Sequence, residues 1–449
     1  MRTETIRRGA RLTLAAGLVI ATAAAPLPAA AQRVSLIRDA EIESTIRAYS
    51  APVLAAAGLD AQAIRIHILG DDRLNAFVAG GRQLFINTGL LMRTETPDQV
   101  MGVIAHEAGH IAGGHLTRLH DQLRDSTAQA ILGLLLGTAV AVATGNAGAG
   151  AAIIAGGQQA GQNSLLQYSR TQEAAADAAA LGFLDRAGVS ARGMLEVLNM
   201  LTRQELIAGL QPDPYLRTHP LSSERMTAIA NHLALSRYAA APDPPALVER
   251  HARLRAKLIG FSRPFEHVLV AYPPADTSVS ARYARAIATY RRGAIDAALP
   301  IIDGLIAEEP GNAYFHELRG QMLFEGGRAP ASLASYRRAV ELAPEEPLIA
   351  ISLAQVEIEV GDTNLLKPAA DRLNAALRAE PELVGAWRLL VVAEGRRGAR
   401  GETALAQAEL ALREGDKGAA RSHATRAAEQ LAAGSPAWLR AQDIRAQLE

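Results

Sequence analysis

Apolar residues between Asp98 and Leu116 recur at helical spacing (Val100, Met101, Val103, Ile104, Ile111), which predicts an amphipathic helix there. From about Thr277 onward the chain is rich in Ala, Leu and Arg and reads as helix after helix. Between these regions Pro242, Pro244, Pro245, Pro264, Pro273 and Pro274 predict a Pro-rich linker over 236–276, with a basic helical patch from Val248 to Leu258 inside it. Two segments are apolar without an accompanying polar face. Leu12 to Ala25 is one. The other, Ala128 to Gly161, carries no charge and predicts two helices around a Gly145–Gly150 hinge near the active-site helix. A buried hairpin, a mobile lid and a membrane-facing patch are its three readings.

The C-terminal helices look periodic. Pro310 and Pro344 each follow an amphipathic helix and stand 34 residues apart, the period of a tetratricopeptide repeat. Gly320, Tyr336, Ala339 and Pro344 fill that repeat's small, aromatic, small and helix-ending positions, and Ala298 fills the small position one unit earlier. A third unit ends at Pro381, 37 residues on, and so carries a short insertion near Thr363. Trp387 begins a fourth, and Ala424 with Pro436 marks a degenerate last pair. Small residues at these positions let helices pack closely, and stacked pairs share a core that no single unit could bury. An unrelated helical bundle is the alternative. A solenoid of this kind presents a concave surface to another polypeptide, and nothing in it looks catalytic.

Composition narrows the setting. Arg2, Arg7, Arg8 and Arg11 precede the first apolar run, and Ala29-Ala30-Ala31 follows Pro28, so residues 1–31 read as a signal peptide cleaved after Ala31. The run is shorter than the ~20 residues a membrane anchor needs. Losing residues 1–31 takes the formal charge from 0 to −3, which gives no electrostatic reason to expect a nucleic-acid partner. With no cysteine, the fold has no disulfides and any metal must be held by histidine and carboxylate. Export with this composition suggests the periplasm of a Gram-negative bacterium.

The candidate chemistry lies on the first helix. His106-Glu107-Ala108-Gly109-His110 puts two imidazoles one turn apart on one face, within reach of a single ion, with a glutamate beside them. A zinc site of this type needs a third protein ligand and keeps its fourth position for water. His115 is nearest, but on a continuing helix it faces well round from both histidines, so His115 and His120 read as surface residues or as support for the ligands. Glu173 and Asp177 are the better candidates. They share one face of an Ala-rich helix, where one carboxylate can bind the ion while the other accepts a hydrogen bond from a ligand histidine.

HExxH followed some sixty residues later by ExxxD resembles the CAAX-prenyl-protease/HtpX-like family of zinc metallopeptidases. The run from Leu74 to Val78, then Gly80-Gly81 and Leu84 to Leu91, resembles the strand pair that precedes the zinc helix in that family. The signal peptide and C-terminal repeats narrow the likeness to its periplasmic branch. The resemblance implies an α+β fold: a mostly helical, zincin-like (gluzincin) protease domain with a small sheet over 32–235. An all-α tetratricopeptide-repeat solenoid would follow over 277–449.

The resemblance further implies one Zn2+ held by His106, His110 and Glu173, with Glu107 as general base and Asp177 supporting a ligand. His219, in Arg217-Thr218-His219-Pro220-Leu221, would be a regulatory fourth ligand that holds the enzyme inactive until it moves. Arg225 would orient Glu173 or bind substrate. The implied reaction is peptide-bond hydrolysis in quality control of outer-membrane proteins, with unfolded or misassembled polypeptides as substrates. The repeats would recruit them, or the assembly machinery, and 128–161 would give a peripheral membrane contact or a lid. Substrate would add as an extended strand at an edge around Phe85–Thr88. The alternative is a non-proteolytic chaperone or scaffold acting through the repeats. A zinc hydrolase acting on something other than protein fits the repeats less well.

Overall fold

The computed structural model describes residues 35–80, 82–115, 169–208 and 219–448. The expected signal peptide and the uncharged Ala128–Gly161 segment lie outside the described residues. Among those described, no helix is long and apolar enough to cross a membrane.

A four-stranded sheet holds β1 (Leu36–Ile37), β2 (Arg65–Leu69), β3 (Ala76–Ala79) and β4 (Gln83–Asn87) in the order β1-β2-β4-β3. The β2–β4 pairing is parallel and the other two are antiparallel. Side chains alternate across the sheet, so Ile68, Ala76, Val78, Leu84 and Ile86 enter the core. On the opposite face His67, Phe85 and Phe77 form a stacked row with ring centroids 4.8 and 5.0 Å apart. β4 is hydrogen-bonded on both sides, which corrects the expectation of an edge at Phe85–Thr88. Among the described residues the free edge on that side is β3. Sequence alternation shows which face a strand buries but not which neighbours flank it.

Helices cover the inner face. α1 (Ala40–Ala56) is capped by Asp39, whose side chain accepts from the Ile42 N–H, and it buries Ile42, Ile46, Tyr49 and Val53 along one stripe. α2 (Thr88–Arg93) leaves the sheet directly, and α3 (Pro97–Gly113) carries the histidine pair. α4 (residues 169–187) carries the acidic pair, and α5 (Arg192–Ala208) crosses α3 at close range. A Cβ on Gly102 would meet the Met194 backbone at 2.8 Å, so the α3–α5 crossing requires glycine there. α6 (Ser223–Leu235) follows, with Ser222 accepting from the Arg225 N–H at its N-terminus.

The stretch expected as a linker is built into the core. α7 (Pro245–Ser262) buries His251, Leu254, Lys257 and Leu258, and α8 (Phe265–Ala271) buries Val268. Pro245 occupies the first turn of α7 and Pro264 immediately precedes α8. There the missing N–H costs nothing, so these prolines start helices rather than mark loose chain.

Ten further helices follow as five antiparallel pairs: α9 (Val279–Arg291), α10 (Ile295–Glu308), α11 (Ala313–Glu325), α12 (Ala329–Leu342), α13 (Pro347–Val360), α14 (Thr363–Ala379), α15 (Val384–Arg396), α16 (Arg400–Arg413), α17 (Lys417–Gln430) and α18 (Pro436–Gln447). Gly293, Gly327 and Gly361 turn successive pairs at φ +85°, +73° and +79°, and their 34-residue spacing is the one the prolines showed. Gly398 comes 37 residues later because α14 has 17 residues where α10 and α12 have 14. The insertion near Thr363 therefore lengthens a helix. Ala298, Ala339 and Ala424 are fully buried. A Cβ on Gly320 would strike the Tyr336 ring, so this small–aromatic pair sets the spacing of α11 and α12.

The N-terminal half of α1 docks on three successive pairs. Ala40 clusters with Ala313, Ala339 and Ile349; Glu41 accepts from the Tyr283 hydroxyl at 2.8 Å; Arg47 pairs with Glu346 at 2.7 Å. Among the described residues, sheet, helical core and repeats thus form one body.

Candidate metal centre and active site

The helical spacing of α3 puts His106 and His110 on one face with their Nε2 atoms 3.1 Å apart. The spacing of α4 does the same for Glu173 and Asp177. The helices can meet closely because Gly109 lies against Ala176: a Cβ there would come within 2.7 Å of the Ala176 carbonyl oxygen. That approach sets Glu173 Oε2 3.3 Å from His106 Nε2 and Glu173 Oε1 3.3 Å from His110 Nε2.

The outer nitrogen of each ring is also engaged. His106 Nδ1 lies 2.8 Å from Asp177 Oδ1, so its Nδ1–H donates outward and turns Nε2 toward Glu173. His110 Nδ1 lies 3.0 Å from His115 Nδ1. α3 stops at Gly113, and Gly114, at φ +62°, turns the chain back so that the His115 ring folds over Gly113, where any side chain would collide with it. Extrapolating the helix hid this position; the Gly113-Gly114 pair was its sequence signal. His115 is buried beside His110 and outside the cluster of donors.

His219 enters from the loop before α6. Its Nδ1 is 3.1 and 3.2 Å from the Glu173 oxygens, and its Nε2 is 3.5 Å from Glu107 Oε1. Arg225, one turn into α6, reaches both carboxylates. It donates to Asp177 through Nε at 2.6 Å and Nη2 at 2.9 Å, while Nη1 is 2.9 Å from Glu173 Oε2 and donates to the Pro220 carbonyl at 3.0 Å. His106, Glu107, His110, Glu173, Asp177, His219 and Arg225 are therefore in one place, while His120 lies outside the described residues.

Electrostatics favour a cation. Burial opposes ionisation of Glu173 and Asp177, but hydrogen bonds from the histidines and, for Asp177, from Arg225 hold both well below the usual carboxylate range. Burial lowers His110 and His219. Burial would also lower His106, yet Asp177 and Glu173 raise it to about 9, a measure of the negative field at that point. Glu107 is 1% exposed, and burial raises it to about 7. Among the described residues neither of its carboxyl oxygens has a hydrogen-bond partner. One donor atom from each of His106, His110, Glu173 and His219 lies within 4.8 Å of the others. Three histidine nitrogens and a carboxylate oxygen are the donor types a zinc-sized ion takes, so the residues fit a metal ion. The Glu107 carboxyl beside them, in contact with His219 but not hydrogen-bonded among the described residues, fits a water held next to that ion.

Residues 37–233 match the model of peptidase family M48. The beta-barrel assembly-enhancing protease of Yersinia pestis is 25% identical over 359 residues, covering 77% of this chain and 71% of that protein. The proteins of the same name from Escherichia coli and Shigella flexneri are each 24% identical over 349 residues, covering 76% of this chain and 69% of theirs. The paired histidines, the buried glutamate and the carboxylate helix all fall inside the matched span: over residues 37–233 this chain is a metallopeptidase domain of peptidase family M48.

Proposed function

We propose that this chain is a periplasmic zinc-dependent endopeptidase in outer-membrane protein quality control, with His106, His110 and Glu173 holding the ion and Glu107 as general base. The observation that carries the reading is the buried Glu107 carboxyl, without a hydrogen bond among the described residues, next to four converging metal-type donors. A zinc ion there would polarise the scissile carbonyl and lower the pKa of water toward ~7. Glu107, itself near 7, takes the proton from the attacking water and returns it to the leaving amine. Asp177 keeps the His106 ring turned, and Arg225 holds Asp177 and Glu173 while tying them to Pro220 of the His219 loop. His219 stands where the water would stand, so movement of its loop switches the site on. An extended segment of substrate adds along β3, where backbone pairing gives affinity with little sequence selectivity.

The names of the relatives support outer-membrane protein assembly as the setting and misassembled or stalled outer-membrane proteins as substrates. The helical repeats supply the surface that recruits these chains or the assembly machinery. The test is cleavage of unfolded casein by the purified chain, with metal content measured in parallel. Glu107→Gln should retain zinc and lose activity by roughly 10²–10⁴-fold, and a chelator should abolish it. Cleavage surviving in Glu107→Gln would leave the repeats, as a chaperone, to carry the function.

A further inference from the structure

A cavity of about 760 Å3 opens between the first turn of α1, the end of α7 and the helices α11 and α13. Phe261, Phe324 and Ile351 make its apolar walls, and Asp39, Lys257 and Glu317 its charged floor. Lys257 Nζ is 2.7 Å from Asp39 and 3.5 Å from Glu41, but 3.9 Å from Glu317 Oε2. Glu41 in turn takes Arg253 at 3.1 Å and the Tyr283 hydroxyl at 2.8 Å. Asp39, Asp72, Glu317 and Glu325 line the cavity against Arg38 and Lys257, so carboxylates outnumber cations there, and Glu317 makes the longest of the Lys257 contacts. Its Oε2 is buried and has no hydrogen-bond partner among the described residues, and burial pushes its carboxyl above the ordinary range.

We infer that this cavity binds a basic side chain, arginine or lysine, of an incoming polypeptide, and that Glu317 receives the cation. A guanidinium or ammonium at the Glu317 carboxylate, whose side chain is 15% exposed, adds the counter-charge that Lys257 supplies only at 3.9 Å. Its aliphatic stem lies against Phe324 and Ile351, as long basic side chains do on apolar walls. The volume is within the ~300–1,000 Å3 of built ligand sites, which leaves room for neighbouring residues of a chain as well as the basic group. The inference rests on the proposed recruitment of unfolded chains and names its chemistry; it does not rest on the metal centre.

The experiment measures fluorescence anisotropy with a labelled Leu-Leu-Ala-Arg-Ala-Leu-Leu peptide and its citrulline counterpart, which has the same shape without the charge. The full chain carries Glu107→Gln so that binding is read without cleavage. The arginine peptide should bind about tenfold more tightly, the scale of one desolvated charge-assisted contact, and Glu317→Gln should bring the two within about twofold. Gln355→Trp, at the exposed rim and away from the ion network, should weaken both peptides. Equal binding of the two peptides, or a preference that survives Glu317→Gln, would overturn the inference. So would indifference to Gln355→Trp, a readout that stands even where Glu317→Gln fails to fold. Displacement by free arginine amide as readily as by peptide would reassign the cavity to small amines. Failure of casein cleavage with this preference intact counts against proteolysis alone.

Discussion

Asp177 Oδ1 lies 2.8 Å from His106 Nδ1, and the same carboxylate takes two hydrogen bonds from Arg225. The carboxylate therefore cannot rotate away, and the imidazole tautomer is fixed by a group that is itself fixed. Asp177→Asn keeps the shape but breaks this arrangement, because an amide offers a donor where Arg225 requires an acceptor. Zinc affinity should fall on the order of 10–100-fold, read by competition with a chromophoric chelator. Unchanged affinity would show that His106 is oriented by packing alone.

His219 contacts Glu173 through Nδ1 and stands 3.5 Å from Glu107 through Nε2. In the proposed mechanism it fills the space in which a nucleophilic water would be activated. His219→Ala should therefore raise casein cleavage, by about tenfold if the closed loop is favoured by ~1.4 kcal/mol. A variant less active than wild type would mean that the ring serves the reaction instead of restraining it.

Gly109 sits between the histidine pair and the carboxylate pair of the proposed metal site, where the α3 backbone meets the Ala176 carbonyl. The obstacle is backbone, which cannot rotate aside. Gly109→Ala should destabilise the chain by about 1–3 kcal/mol, as overpacking does, and should also weaken metal binding by spreading His110 from Glu173. Thermal unfolding with and without zinc separates the two effects. A variant matching wild type in both would show that the helices move apart at no cost.

His251 bridges elements far apart in sequence, with Nε2 2.9 Å from the Thr94 carbonyl and Nδ1 3.1 Å from the Tyr49 hydroxyl. The ring is neutral: Nε2–H donates to the carbonyl and Nδ1 accepts from the tyrosine. Burial lowers its pKa to about 4, helped by Arg255 and opposed by the Thr94 hydrogen bond. Between pH 4 and 6.5 the unfolded chain binds the extra proton, so this stability is complete above about 6.5 and is lost as pH falls toward 4. The loss amounts to about 3 kcal/mol. Urea unfolding across that range should show a shallower pH dependence in His251→Gln; an identical slope would place the acid sensitivity elsewhere.

The sequence determined what depends on local geometry. Helical spacing puts His106 with His110 and Glu173 with Asp177, whatever surrounds them. The repeat was legible through Pro310, Pro344 and the small residues because each pair is built by the same short-range turn and contact. Glycine's freedom at positive φ let Gly293, Gly327 and Gly361 keep that register.

The tertiary structure decided which faces meet. Arg225 joins two carboxylates on α4 to the Pro220 carbonyl, a relation that no spacing in the chain encodes. The chain reversal at Gly114 brings His115 back to His110, and β3 takes the edge that the strand pattern had given to Phe85–Thr88. Residues 245–262, read as part of a linker from their prolines, became core because α1, α2 and α9 cover them. Burial belongs to surfaces brought together over long separations. A segment's own composition fixes its conformation and the face it offers, while the partner for that face is chosen only when the whole chain packs.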